Sequence, residues 1–254
     1  MTLRPAWLGV GALVLVQISY PLTGGDARTA VTVTTVVLGF AVSVGHAALT
    51  RGRRVAAVLL LVTTGGGLLV EAIGVATGVP FGAYAYTDAL GLRVAGVPVV
   101  VPLAWTWMAW PAWLAAARLV HHPAARVLVA GAGLAAWDVF LDPQMVAAGY
   151  WTWSAPSPGL PGVPAVPLRN YAAWLVVAVA MMALLALWGG PAAAPDLAAD
   201  APMHVLYLWT YASSVLAHAA FLDLPASAAW GALAMGLVAL PLATTFKIPH
   251  RVRA

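Results

Sequence analysis

The run VAAVLLLVTTGGGLLVEAIGVAT, Val55–Thr77, decides the class of fold. Its one ionisable residue is Glu71, and the rest are aliphatic, Thr or Gly. At about 1.5 Å per residue a helix of this length rises roughly 35 Å, enough to cross a hydrocarbon core of about 30 Å. The run predicts a membrane-spanning helix. Working outward gives further apolar runs at Ala6–Leu22, Ala30–Leu49, Pro98–Leu119, Ala124–Leu141, Tyr171–Trp188, Met203–Leu222 and Ala228–Phe246. The expected fold is all-α: a polytopic transmembrane helical bundle of about eight spans, forming a single domain over residues 1–254. Seven spans stay open, because the first run is short and the fifth is interrupted by acids.

Composition agrees. Hydrophobic residues make up 63% of the chain and charged ones 8%, against about 25% charged in a soluble domain. So few charges cannot solvate a globular surface, and the bilayer is the expected partner. The basic residues mark the sidedness. With both termini cytoplasmic, Arg4, Arg51, Arg53, Arg54, Arg118, Arg126, Lys247, Arg251 and Arg253 fall inside, and Arg28, Arg93 and Arg169 outside. That asymmetry is the positive-inside pattern of a multi-pass cell-membrane protein. It accounts for the excess of Lys and Arg over Asp and Glu without nucleic acid. The first apolar run is read as an uncleaved span, since no A-x-A-like site precedes Gly24–Asp26. There is no cysteine, which excludes disulfides, thiolate metal sites and a Cys nucleophile.

Ionisable groups at the centre of a span cost roughly 2.5–3.5 kcal/mol each, so every one needs a reason. Glu71, Asp88, Asp138, Asp142 and Asp223 all fall toward the outer ends of spans or in outer loops. Asp138 and Asp142 lie four apart on one helix face. Pro143 biases Asp142 away from helical geometry and predicts that the helix ends there. Two carboxyls this close in a low dielectric do not both ionise easily, and one keeps a proton to donate; the alternative is a polar helix end capping its own loop. Glu71 is either a proton donor or donor-orienting group, or a buried acid bonded to a neighbouring helix. Around these acids crowd Tyr84, Tyr86, Tyr150, Trp137, Trp151 and Trp153, while Trp105, Trp107, Trp110 and Trp113 run down the fourth span. Aromatic faces line polyene channels and stabilise a cation by about 0.5–2 kcal/mol each; ordinary packing is the competing reading. The long connections Gly78–Val97 and Asp142–Asn170, rich in Gly, Pro and aromatics, suit the walls of a site. Pro195–Asp200 reads as a plain inner linker. His204 and His218 read as packing histidines, and no H-x-x-x-H or H-x-x-H-H box of a di-iron enzyme is present. The only Lys, Lys247, lies at a membrane edge, which excludes a retinal Schiff base.

Two stretches carry more than composition. One is Glu71-Ala-Ile-Gly-Val-Ala-Thr-Gly-Val-Pro-Phe-Gly-Ala-Tyr-Ala-Tyr86 with Thr87-Asp88-Ala89-Leu90-Gly91. The other is Asp138-Val-Phe-Leu-Asp-Pro-Gln-Met-Val-Ala-Ala-Gly-Tyr-Trp-Thr-Trp153. With Gly96-Val-Pro98, Pro102-Leu-Ala-Trp105 and Pro167-Leu-Arg-Asn-Tyr171, they resemble the membrane carotenoid-biosynthesis family of bisanhydrobacterioruberin hydratase and gamma-carotene 1',2'-hydratase. The resemblance spans about Glu71 to Trp174; it departs at Ala173, where the pattern has Gly, and in Pro161–Pro167.

The resemblance implies addition of water across the terminal isopropylidene double bond of an acyclic carotenoid, with no cofactor and no metal. The i,i+4 spacing and the helix-end position, rather than the resemblance, assign Asp138 and Asp142 as the proton-donating pair, with Glu71 or Asp88 to hold or deprotonate the attacking water. Tyr84, Tyr86, Trp105, Trp137, Trp151, Trp153 and Asn170 would line the substrate site. The implied partners are a carotenoid, the bilayer and other carotenoid-pathway membrane enzymes. Three alternatives stay open: a membrane prenyltransferase such as a lycopene elongase, for which D-x-x-x-D is half of the usual equipment; a carotenoid cyclase; and a non-enzymatic carotenoid-binding protein.

Overall fold

The computed structural model describes residues 3–189 and 196–246. Lys247, Arg251, Arg253 and Pro195 lie outside the described residues. Eight long helices follow one another: α1 (Arg4–Ser19, continued by a tight turn to Leu22), α2 (Gly25–Arg51), α3 (Arg53–Thr77), α4 (Val100–Leu119), α5 (Pro123–Ala147), α6 (Leu168–Trp188), α7 (Leu197–Ala220) and α8 (Pro225–Thr244). The chain is a helical membrane protein. Six helices are long and apolar enough to cross a bilayer, α4 and α7 being the exceptions. α4 lies inside the bundle: all four of its tryptophans are buried, and it packs against α2, α3, α5, α7 and α8. A helix shielded from lipid by protein has no need of an aliphatic surface, so rings replace aliphatic side chains without cost to insertion of the bundle.

Prolines sit where helices begin, at Pro123 and Pro225, where the missing N–H is an orphan anyway. Others stand inside helices, at Pro111, Pro143, Pro202 and Pro241, and a proline there frees the carbonyl four residues earlier; two of these carbonyls find a serine. Pro111 in α4 frees the Trp107 carbonyl, which accepts the Ser43 hydroxyl of α2 at 2.8 Å. Pro143 in α5 frees the Val139 carbonyl, which accepts the Ser227 hydroxyl of α8 at 2.9 Å. The expected helix end at Asp142 is therefore corrected: α5 runs on through Pro143 to Ala147 because a neighbouring serine replaces the lost bond.

Where α5 crosses α6, a Cβ on Gly131 would fall 2.8–2.9 Å from the Val179 backbone. Only a glycine allows that approach, which brings the start of α6 against the last turns of α5. The expected linker ahead of α7 is also corrected. The Asp196 carboxylate caps α7 by accepting the Ala198 and Ala199 N–H groups at 3.0 Å each. One turn on, both carboxylate oxygens of buried Asp200 accept from Arg51 Nη2, tying α7 to the end of α2. This pair marks the basic end of the bundle, with the turns bearing Arg53, Arg54, Arg118 and Arg126.

At the opposite end the two long connections form short strands: β1 (Tyr84–Tyr86), β2 (Arg93–Val94), β3 (Val97–Pro98), β4 (Trp151–Trp153), β5 (Gly159–Leu160) and β6 (Val163–Pro167). β1 pairs antiparallel with β4, setting Tyr84 opposite Trp153 and Tyr86 opposite Trp151. Alternation turns the rings of these four residues inward and leaves Ala85 and Thr152 exposed.

Candidate active site

Under the β1–β4 pair lie the acids. Glu71 projects from the last third of α3, Asp138 and Asp142 from successive turns of α5, and Asn170 from the first turn of α6; all four are buried. The Asn170 amide nitrogen donates to both aspartates, at 3.3 Å to Asp138 Oδ2 and more closely to Asp142 Oδ2. Trp151 Nε1 donates to Asp142 Oδ1 at 3.2 Å. Glu71 Oε2 accepts two phenols, Tyr84 and, at 2.7 Å, Tyr86. In β1, burial first and then the neighbouring Glu71 push both phenols far above their ordinary range, so both remain donors. Among the described residues the ion pairs are Arg51–Asp200 and Arg93–Asp88, so no cation balances these three acids.

The acids share one small cavity with Tyr84, Tyr86, Trp151, Trp153 and Asn170. The space open to the centre of a water molecule is about 20 Å³, room for a single water. Its wall is aromatic: Trp105 stacks on Trp174 at 3.6 Å between ring centres, and Trp174 on Phe81 at 4.3 Å. Tyr84 meets Tyr86 edge-on at 5.5 Å. Gly74, one turn beyond Glu71, makes this possible, since a Cβ there would lie 2.8 Å from both the Tyr84 hydroxyl and the Phe81 ring.

A second, larger cavity, with about 140 Å³ open to the centre of a water molecule, lies beside the first between α1, α2, α4, α5 and α7. Val101, Trp105, Leu141 and Trp151 line both. The larger space is walled mostly by rings and aliphatic groups, with Gln17, Tyr20, Thr32, Thr35 and Gln144 at intervals.

Most of the expected site residues come together here: Glu71, Asp138, Asp142, Tyr84, Tyr86, Trp105, Trp151, Trp153 and Asn170. Trp137 instead lines the larger cavity alone. Asp88 does not join the acids. It is fully exposed in the loop after β1 and pairs with Arg93 at 2.9 Å, because the chain turns outward there. Asp223, too, is exposed. Phe81 and Trp174 were not foreseen; the signal for Trp174 is its position one helical turn after Asn170. Among the described residues, no three of His, Asp and Glu are disposed to hold a metal ion. His218 packs as expected, between Ser227 at 2.9 Å and Gln144 at 3.1 Å.

Comparison with known proteins adds to this geometry. A family model described as "Carotenoid biosynthesis protein" matches residues 31–240. A curated relative, the bisanhydrobacterioruberin hydratase of Haloarcula japonica, is 34% identical over 113 residues, covering 42% of this chain and 36% of the relative. The similarity thus spans little more than a third of that relative's length. No solved structure matches the chain.

Proposed function

We propose, from the premise that this chain belongs to the family of carotenoid biosynthesis proteins, that it is a hydratase of acyclic carotenoid ends. One observation carries the reading. Three buried acids without a balancing cation surround a space for one water, inside an aromatic box that adjoins a larger, mostly apolar cavity. The similarity to a named hydratase supports the same reaction.

In this reading the polyene lies in the larger cavity, with its terminal isopropylidene group at the Trp105–Leu141–Trp151 wall. The Asp138–Asp142 pair, bridged by Asn170, holds a proton between its carboxyls and delivers it to the CH carbon of the double bond. The electron pair of that bond forms the new C–H bond, leaving a tertiary cation on the dimethyl carbon. Aromatic faces shelter that cation. Glu71, held by Tyr84 and Tyr86, positions the water whose oxygen bonds to the cationic carbon. The surplus proton of the water passes to a carboxylate, and the product is a tertiary alcohol. The excess of basic residues in the turns at one end supports a cell-membrane location with both termini cytoplasmic and the acids near the outer face.

Expression in a host that accumulates lycopene or bisanhydrobacterioruberin tests the function. Pigment gaining the mass of one water per end supports it. An isomer of unchanged mass points to cyclisation, an added five-carbon unit to prenyl transfer, and unaltered pigment to a binding protein. Asp138→Asn and Asp142→Asn test the assignment: each should lower hydration about 100-fold or more, as loss of a general acid does. Wild-type rates in both well-folded variants would show the assignment to be wrong.

A further inference from the structure

We propose that Thr106 of α4 is a positioning residue for Glu71, acting through a wide turn in α3 that it holds in place. Its part in the reaction rests on the hydratase reading; the aiming of the side chain does not. α3 is not regular along its length. Over Leu60–Gly65 it widens into a π-helical turn, and the Gly66 N–H reaches the Leu61 carbonyl, five residues back instead of four. Turns of this kind are rare and occur mostly singly inside α-helices.

A chain of three hydroxyls holds this one. Thr63 is fully buried and donates its single proton to the Leu59 carbonyl at 2.7 Å. Thr106, also fully buried, lies 2.7 Å from the Thr63 hydroxyl, so Thr106 is the donor there, and Thr64 in turn donates to Thr106. Neighbouring residues of a regular helix point about 100° apart, yet the hydroxyls of Thr63 and Thr64 both reach one oxygen atom of α4. That shared contact fastens the wide turn to α4 beside Trp105. Without the Thr106 hydroxyl, nothing draws both side chains the same way, and a regular α-helix becomes the better-bonded arrangement.

The turn decides which residues of α3 face inward. Ahead of it Ala56 and Leu59 are buried; beyond it Gly67, Glu71 and Gly74 are. Three regular turns advance about 11 residues and four about 14. A regular helix continued from Leu59 would therefore bring Val70 and Ile73 to the inward face. The extra residue taken up by the wide turn brings Glu71 and Gly74 there instead. Accordingly Val70 lines neither cavity, and Ile73 is 46% exposed. With the turn undone, Glu71 swings about 100° around the helix axis, away from the Tyr84 and Tyr86 hydroxyls that now hold it. The same rotation replaces Gly74 by Ile73 against Phe81 and Tyr84, where not even a Cβ has room.

The test uses the full-length chain in membranes and takes two readings. The first is the initial rate of hydration of lycopene or bisanhydrobacterioruberin. Thr106→Val keeps the shape of the side chain without its hydroxyl; it should lower kcat about 30-fold or more with KM within about twofold, as misplacing one reacting group does. Thr106→Ser should keep both within about threefold. Deleting Gly65, whose nearest neighbouring atoms would lie 3.9 Å from a Cβ, removes the extra residue, so that a regular helix carries the glutamate inward by itself. In the Thr106→Val protein this deletion should restore kcat to within about fivefold. If Thr106→Val does not accumulate, Thr64→Ala cuts the same chain at its donor end and carries the same expectations. The second reading needs no activity. The chain has no cysteine, so the lone thiol of an Ile73→Cys protein reports its own exposure through its rate of alkylation by N-ethylmaleimide. That rate should fall about tenfold when Thr106→Val is added and stay within about twofold with Thr106→Ser. A fallen rate in a chain whose parent hydrates neither pigment keeps the aiming turn and overturns the hydratase reading. A fallen rate with kcat unchanged overturns Thr106 as a positioning residue. An alkylation rate that Thr106→Val does not move overturns the aiming turn itself and leaves the hydratase reading standing.

Discussion

Replacing Asn170 with alanine probes how the acid pair is held. Asn170 is 1% exposed, and its amide nitrogen is shared between Asp138 at 3.3 Å and a closer contact to Asp142. A hydrogen bond to a charged group contributes about 1.5–3 kcal/mol, and the longer of these two adds little to the shorter. The loss therefore comes to about 2–3 kcal/mol. If the amide stabilises the carboxylate left behind as the proton departs, that loss falls on the transition state, and kcat drops about 30- to 150-fold. If it only braces α6 against α5, the loss falls on stability and kcat is spared. Initial rates of alcohol formation in membranes, with thermal unfolding of the detergent-solubilised protein, separate the two. An Asn170→Ala protein that unfolds earlier yet hydrates within about threefold of wild type would refute the proposed role.

Three further outcomes follow from the geometry. Ser43→Ala should cost about 1–3 kcal/mol, because it strands the buried Trp107 carbonyl; in a Pro111→Ala background, where a backbone N–H returns, the same change should cost under about 0.5 kcal/mol, as a double-mutant cycle of unfolding will show. Gly74→Ala puts a methyl 2.8 Å from the Tyr84 hydroxyl; it should destabilise by about 1–3 kcal/mol and slow hydration at least tenfold, measured by unfolding and product mass. Asp88→Asn should hydrate within about twofold of wild type, since Asp88 is exposed and apart from the acids; a large loss would bring Asp88 back into the site.

The bundle was legible in the sequence because lipid imposes a coarse rule, a long apolar run for each crossing. The run at Val55–Thr77 appears as α3 with the same last residue. What the rule misses is compensation supplied from elsewhere in the fold. Pro143 reads as a helix terminator until Ser227, far along the chain, is seen to take the carbonyl it frees. The stretch before α7 reads as a linker because an Asp196 cap and a buried Asp200 are indistinguishable from surface acids without Arg51 opposite. Within the candidate site, i,i+4 spacing pointed to Asp138 and Asp142, which do lie together, and topology put Asp88 with the other outer acids. Asp88 stays apart because β1 carries Tyr84 and Tyr86 inward and the chain then turns out to solvent. The period-two patterns Tyr84-Ala85-Tyr86 and Trp151-Thr152-Trp153 were the unread signal for a paired roof.

That roof has a consequence for how the protein is made. Its two strands come from connections far apart in the chain, tied for instance by Ser154 donating to the Ala83 carbonyl across 71 residues. Helices entering the bilayer in sequence cannot form this ladder until α5 has followed α3 and α4 into place. Until then Glu71, Asp138 and Asp142 lack the cover that the paired strands give them, and an assembly arrested before that closure has its helices but not its closed acid cavity.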